Sequence, residues 1–182
     1  MESKLLNVIE EQVAVQFTGK VNVLASFNRQ FLGQIYFKNG DIIQVTFHQQ
    51  KGLKAFYQIL VDEYSLQSFE YVVEPELVDE SERKIHYPYA VLKNKLGDVL
   101  KLYRESLKLR PPDNIKIILD AEFLEDSLEV TPQEYDVLMT LTDWNNPQDL
   151  YQHCELLDHE ITLALVSLRK KGALKILAPR QE

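Results

Sequence analysis

Cys154 is the one cysteine of the chain, and His153 and His159 stand within five residues of it. A thiolate beside imidazoles is the material of a nucleophile or of a zinc site. The spacing serves neither. Adjacent positions on a helix point to different faces, and two histidines with one cysteine fall short of a zinc ligand set. Cys154 is therefore expected as an inert core thiol. Five carboxylates, Asp120, Glu122, Glu125, Asp126 and Glu129, crowd into ten residues. Calcium would need an Asp-x-Asp-x-Asp-Gly loop, which is missing, so this reads as a solvated acidic loop. Gly33 and Gly40 bracket a third candidate. A phosphate cradle needs a helix N-terminus just after its glycines, and a strand follows here instead. No nucleophile constellation stands out. The expectation is no catalytic residue, no metal and no cofactor, hence no enzyme. What remains is the polar tip His48-Gln49-Gln50, a candidate for contact with a protein partner.

The elements that must position these residues come from an ordinary globular composition. The chain has 182 residues, 45% hydrophobic and 26% charged, enough for one or two small domains. No apolar run approaches the ~20 residues of a membrane-spanning helix, and the acidic start MESKLLNVIEEQ does not resemble a signal peptide. With a lone cysteine as well, a cytoplasmic location is expected. The net charge is −8, unevenly spread. Residues 113–160 hold thirteen acids and one base, Lys116, whereas residues 85–112 and 161–182 are each +4 and the first 84 residues are −4. So acidic a stretch repels a polyphosphate backbone.

The stretch GQIYFKNGDIIQVTF, 33–47, predicts a β-hairpin. Ile35 and Phe37 share one face of its first strand, and Ile43, Val45 and Phe47 share one face of its second. A two-residue Asn39-Gly40 turn pairs Phe37 with Ile42 and sends the two apolar sets to opposite faces, because a one-residue slip flips a strand. A three-residue Lys38-Asn39-Gly40 loop pairs Ile35 with Ile43 and unites them. The expectation is therefore a type I turn with Gly40 left-handed in a bulge. The hairpin's outward face carries Gln34, Tyr36, Gln44 and Thr46.

Around it, Ser3 is placed to cap a helix to about residue 11, and GKVNVLASF (19–27) alternates as a strand. Asn28 to Gln30 supply a turn that includes Arg29. Leu53, Phe56, Tyr57 and Leu60 fall at helical spacing, and SFEYVV (68–73) reads as a closing strand. The charged, aperiodic EPELVDESERK (74–84) reads as a linker. A helix from Tyr89 to about Leu109 ends before Pro111-Pro112, and IKIIL (115–119) is a short strand. Thr131-Pro132-Gln133-Glu134 is a capping box, Asn146-Pro147 repeats its logic, and Asp158 is placed to cap a third helix. That helix carries Arg169, Lys170 and Lys171 at its end and stops at Gly172, before the strand ALKIL (173–177). Three helices and a strand describe a degenerate winged-helix unit.

The run Gly33-Gln34-Ile35-Tyr36-Phe37-Lys38-Asn39-Gly40-Asp41-Ile42-Ile43 resembles the G-x-I-x-F-x-x-G-x-I hairpin of PATAN domains, named from the PatA N-terminus and largely filed as a domain of unknown function. Gly52 and Ala55 match the G-x-x-A opening of that family's next helix, and Phe69 and Tyr71 the aromatic positions of its closing strand. The tail is similar to relatives that end in L-x-x-x-G-x-L, here Leu168 to Leu174. The Trp and Gly usual before the last strand are absent, with Val61 to Ser65 in their place. A strand also precedes the hairpin where many relatives have a longer helix. The resemblance implies an interaction module of bacterial two-component, chemotaxis-like or surface-motility signalling, with no catalytic residues to carry over.

Together these readings predict an α+β protein: a PATAN-like module at 1–73 with a small antiparallel sheet and packed helices, a linker and connecting helix at 74–112, and a winged-helix-like module at 113–182. The expected function is a non-catalytic adaptor docking a response regulator, a kinase or a polarity or motility GTPase system. The candidate surface is Arg29, Gln34, Tyr36, Gln44, Thr46, His48, Gln49 and Gln50, with no nucleic acid and no membrane insertion; a homodimer is left open. The rival is a DNA-binding regulator using the last three helices. The acidic front of the would-be reading helix, Asp158-His159-Glu160, opposes it where DNA readers place donors.

Overall fold

The computed structural model describes residues 3–65, 67–79, 81, 83–120 and 129–177. In chain order the elements are α1 (Lys4–Ala14), β1 (Gly19–Ala25), β2 (Phe31–Lys38), β3 (Asp41–Phe47), β4 (Gln50–Lys51), α2 (Gly52–Tyr64), β5 (Phe69–Pro75), α3 (Tyr89–Leu107), β6 (Lys116–Leu119), α4 (Pro132–Asp143), α5 (Pro147–His153), α6 (Asp158–Lys170) and β7 (Leu174–Leu177). The architecture is α+β. The chain divides into two compact units, Met1–Gly97 and Asp98–Glu182, and α3 spans the division. The first unit thus takes in residues 74–97, which the sequence assigns to a linker and connecting helix.

That first unit is built on an antiparallel sheet in the order β4-β3-β2-β1-β5. Strands β1 to β4 form a meander, and β5 returns after α2 to pair with β1. Alternation dictates which face is buried: Val21, Val23, Ile35, Phe37, Val45 and Phe47 are fully buried, and the residues between them are half-buried. The same core holds Leu5 and Ile9 of α1 and Phe56, Ile59 and Leu60 of α2. Ser3 caps α1 by accepting the Leu6 N–H at 3.2 Å, and the helix runs to Ala14, past the expected end. Its start is tied to α2 by Glu63, which accepts the Leu5 N–H at 3.2 Å, the Ser3 hydroxyl and the Tyr71 hydroxyl at 3.1 Å. A carboxylate at a helix N-terminus also meets the positive end of the dipole.

The β2–β3 turn departs from expectation. Lys38 pairs with Asp41 and Phe37 with Ile42, leaving a two-residue Asn39-Gly40 turn with φ of 50° and 81°. Positive φ at both positions makes this the tight primed turn. The irregularity that the apolar pattern demands lies inside β3 instead. Tyr36 pairs with Gln44, so Ile43 is an extra residue, and Ile42 and Ile43 are both buried. The tight turn is selected by what it docks on. Gly40 donates to the Phe17 carbonyl at 2.8 Å, and Asn39 donates its N–H to Thr18 Oγ1 at 2.9 Å. At the bulge, the Ile43 carbonyl accepts from the N–H groups of Lys84 (2.8 Å) and Ile85 (3.0 Å), and Ile85 is fully buried. The end of the charged stretch is therefore strapped to the hairpin, while Leu77 within it is 98% exposed.

In the second unit β6 and β7 form an antiparallel ribbon, Ile117 opposite Ile176 and Leu119 opposite Leu174. Its core comprises Val137, Leu138 and Leu141 of α4, Leu150, Tyr151 and Cys154 around α5, and Ile161, Leu165 and Leu168 of α6. The capping box of α4 is complete: Thr131 Oγ1 accepts the Glu134 N–H at 3.2 Å, and Glu134 accepts the Thr131 N–H at 2.7 Å. Asn146 caps α5 by accepting from Asp149 N at 2.9 Å, and Gly172 ends α6 at φ 83°. One boundary moves. Asp158 is the first helical residue of α6 rather than its cap, and Glu160 satisfies the free Leu157 N–H at 2.9 Å. No helix among the described residues is long and apolar enough to cross a membrane.

Candidate functional site

The candidate surface residues fall into two neighbouring groups on the first unit. Gln34 lies directly opposite Thr46, and Tyr36 opposite Gln44, as two cross-strand pairs on the half-buried outward face of the sheet. The same rows continue into β1 with Asn22 and Lys20. Asn39 and Gly40 close the far end of this hairpin. Arg29 and His48-Gln49-Gln50 lie at the other end, where the β1–β2 and β3–β4 turns stand side by side.

Local chemistry shapes both turns. Asn28 Oδ1 accepts the Gln30 N–H at 3.0 Å, and Arg29 donates its N–H to the Ala25 carbonyl at 2.8 Å. Arg29 takes φ 56° and its guanidinium meets Glu70 at 3.2 Å. In the second turn Phe47 pairs with Gln50, so only His48 and Gln49 span the reversal, and His48 takes φ 51°. Its N–H is held by the Leu32 carbonyl at 2.7 Å, and its ring meets Phe47 edge-on at 4.3 Å. Gln50 keeps its amide oxygen buried without a donor among the described residues. Arg29 and His48 both hold the left-handed backbone of a turn, as Gln16 and Asn39 do elsewhere in the unit, a conformation that costs a non-glycine residue.

Between the turns opens a cleft of about 330 Å³, lined by Ala25, Phe27, Gln30, Leu32, His48, Gln67, Ser68 and Phe69. The chain passes through this end three times, in the β1–β2 turn, the β3–β4 turn and the start of β5. Buried Phe69 packs edge-on against Phe47 at 5.8 Å. In the lining, Phe27 is 87% exposed, and Phe31, at the start of β2 and outside the lining, is also exposed. Aromatic groups left in water at a concave site are the usual anchors of a protein contact. Phe27, Phe31, Gln67 and Ser68 were not singled out from the sequence. The available signal was two phenylalanines flanking a polar three-residue turn.

The cysteine, histidines and carboxylates with candidate chemistry are scattered. Cys154 is buried in the core of the second unit. His153 stacks on Trp144 at 4.0 Å, and His159 is buried in the first turn of α6, where loss of solvent pulls its imidazole below the ordinary histidine range. Asp120 pairs with Lys175 at 2.7 Å, whereas Glu122, Glu125 and Asp126 lie outside the described residues. Asp158 does not face outward: it meets Arg110 at 3.2 Å, and Arg110 also stacks on the Tyr151 ring at 4.0 Å. Arg169, Lys170 and Lys171 are all exposed at the end of α6, and Lys171 is bound to Glu134 at 2.7 Å. Burial opposes the charge on Glu134, but Lys171, Ser167 and the Thr131 N–H hold its carboxyl down at about 2.

Comparison with family models, with curated proteins and with solved structures returns no match.

Proposed function

We propose that this chain is a non-catalytic adaptor that docks a protein partner at the strand-end cleft, with the outward hairpin face beside it. The carrying observation is that exposed Phe27 and His48 line one concave site, with Arg29 in the turn that follows Phe27. Partner binding fits this arrangement because an apolar floor supplies burial and a polar rim supplies orientation. The PATAN-like hairpin and the winged-helix-like order of the second unit support a place in bacterial signalling. The partner class is then a response regulator, a kinase or a polarity or motility GTPase system. A photo-crosslinker replacing Phe27 should capture one protein in cells, and the same probe replacing exposed Val15 should not. Capture that survives His48→Ala with Arg29→Ala unchanged would remove the cleft from the reading.

A DNA-binding regulator is the second reading. One observation favours it: Asp158 and Glu160 are engaged by Arg110 and by the Leu157 N–H, so the front of α6 is less repulsive than its sequence suggests. Against it stand the paired Lys171 and the acids of α4 and α5. Fluorescence anisotropy on random duplex at low salt separates the two. The adaptor reading expects no saturable binding. Binding that weakens steeply with salt and is lost on Arg169→Glu with Lys170→Glu supports the regulator.

A further inference from the structure

Residues 117–168 contain no Lys or Arg, so the basic side chain on α4 and α5 is His153 alone. Large apolar side chains nevertheless stand in water there: Tyr135 is 54%, Met139 51% and Trp144 39% exposed. Tyr135 and Met139 are four residues apart on α4 and adjacent on its outer face, opposite the buried Val137, Leu138 and Leu141. Asp136 and Asp143, seven apart and both exposed, form the next column. Trp144 closes the helix. Its N–H donates to the Thr140 carbonyl at 3.0 Å, and its ring lies flat on His153 of α5.

Several acids of this unit are engaged within it. Glu134, Asp158 and Asp120 neutralise Lys171, Arg110 and Lys175, and Glu160 serves its own helix start. Asp136 and Asp143 meet no cation among the described residues. On α4 the exposed pair Tyr135 and Met139 runs beside the carboxylates Asp136 and Asp143, which is complementary to one chemistry, a segment with an apolar face bordered by lysines or arginines. A nucleic acid has the wrong sign, and a second copy of this surface would set carboxylates against carboxylates.

We propose that the outer face of α4, with Trp144 at its end, docks a basic amphipathic segment of a partner protein. The apolar side of that segment covers Tyr135, Met139 and Trp144, and its cations face Asp136 and Asp143. Aromatic and methionine side chains give the affinity, Met adapting its shape to the contact, and the carboxylates give register and encounter rate. The inference concerns the second unit and does not depend on the strand-end cleft.

Trp144, at the C-terminal end of α4, is the only tryptophan, so intrinsic fluorescence reports on the end of this helix alone. The full chain is titrated with a designed Leu/Lys helical peptide of about five turns, and with the same peptide carrying Glu for Lys. The expected result is a saturable blue shift with the lysine peptide only. Affinity should fall by about tenfold in the Tyr135→Ser, Met139→Ser double variant. Asp136→Asn with Asp143→Asn should weaken binding at low salt and converge on the parent at high salt. Both variants change exposed side chains, and far-UV circular dichroism verifies that they fold. The proposal is overturned by equal binding of the glutamate peptide, by no shift, or by unchanged affinity in the serine variant. A blue shift that grows with protein concentration alone would assign the surface to a second copy and overturn it equally.

Discussion

Gly33 is demanded by one close approach. It sits inside β2 between Val23 and Phe47, and an added Cβ would lie 2.1 Å from the Thr46 carbonyl oxygen and 2.7 Å from Phe47 Cα. Backbone cannot move aside as a side chain tip can, so Gly33→Ala should cost about 1–3 kcal/mol by overpacking, read as a lower urea midpoint. Gly40 is demanded by conformation as well as space: φ is 81°, and a Cβ would stand 3.0 Å from the Val13 carbonyl oxygen. Gly40→Val should cost roughly as much, about 1–3 kcal/mol. Wild-type midpoints in both variants would mean that neither contact is real. His159 supplies a pH dependence. Burial lowers its folded-state pKa below the unfolded value of about 6.5, so the unfolded chain binds the proton more readily. Its contribution is constant above that value and turns unfavourable as pH falls below it. Urea midpoints should drop between about pH 7 and 5 in the parent and less in His159→Leu.

Among the elements, α4 shows how a local motif becomes a long-range one. Thr131 and Glu134 form the capping box from four consecutive residues, which is why it was legible without a structure. That Glu134 also receives Lys171, 37 residues away, was not. Its carboxyl, held at about 2 against an unfolded value of about 4.3, contributes stability that is complete above about pH 4.5 and lost as pH falls towards 2. Glu134→Gln keeps the shape and removes the charge. The variant should lose about 1–3 kcal/mol at neutral pH and show a shallower loss in acid. An acid limb identical to the parent's would detach Glu134 from the pH dependence. The short helix α5 and the start of α6 are held differently, by Arg110 reaching Asp158 and the Tyr151 ring. No pattern in the sequence marked Arg110, since a single arginine between a helix and a proline pair reads as solvated.

For the whole molecule the dividing line matters most. A charged, aperiodic stretch at 74–84 suggested a boundary there, yet β5 runs to Pro75, and Lys84 and Ile85 bond back to Ile43. The first unit continues to Gly97. Leu77, almost wholly exposed outside any helix or strand, should be the first chymotryptic site. Because residues on both sides of it belong to the same unit, the two fragments should co-elute on size exclusion under native conditions. Separation of the fragments after that single cut would return the boundary to 74–84.

Helix starts, strand positions and the buried face of each strand were readable because they rest on side chains within four residues of one another and on periods of 2 and 3.6. The need for one irregular residue in the hairpin was readable too, since Ile35, Phe37, Val45 and Phe47 cannot share a face without it. Its position was not. Contact of Gly40 with Phe17 selected the tight turn and moved the extra residue to Ile43, and that contact crosses 23 residues of chain. The strand-end cleft was hidden for the same reason. Phe27, His48 and Phe69 meet only because β5 crosses back to pair with β1. Sequence spacing encodes what local geometry brings together, whereas such a meeting depends on strand order, and strand order is settled by burial of the whole core.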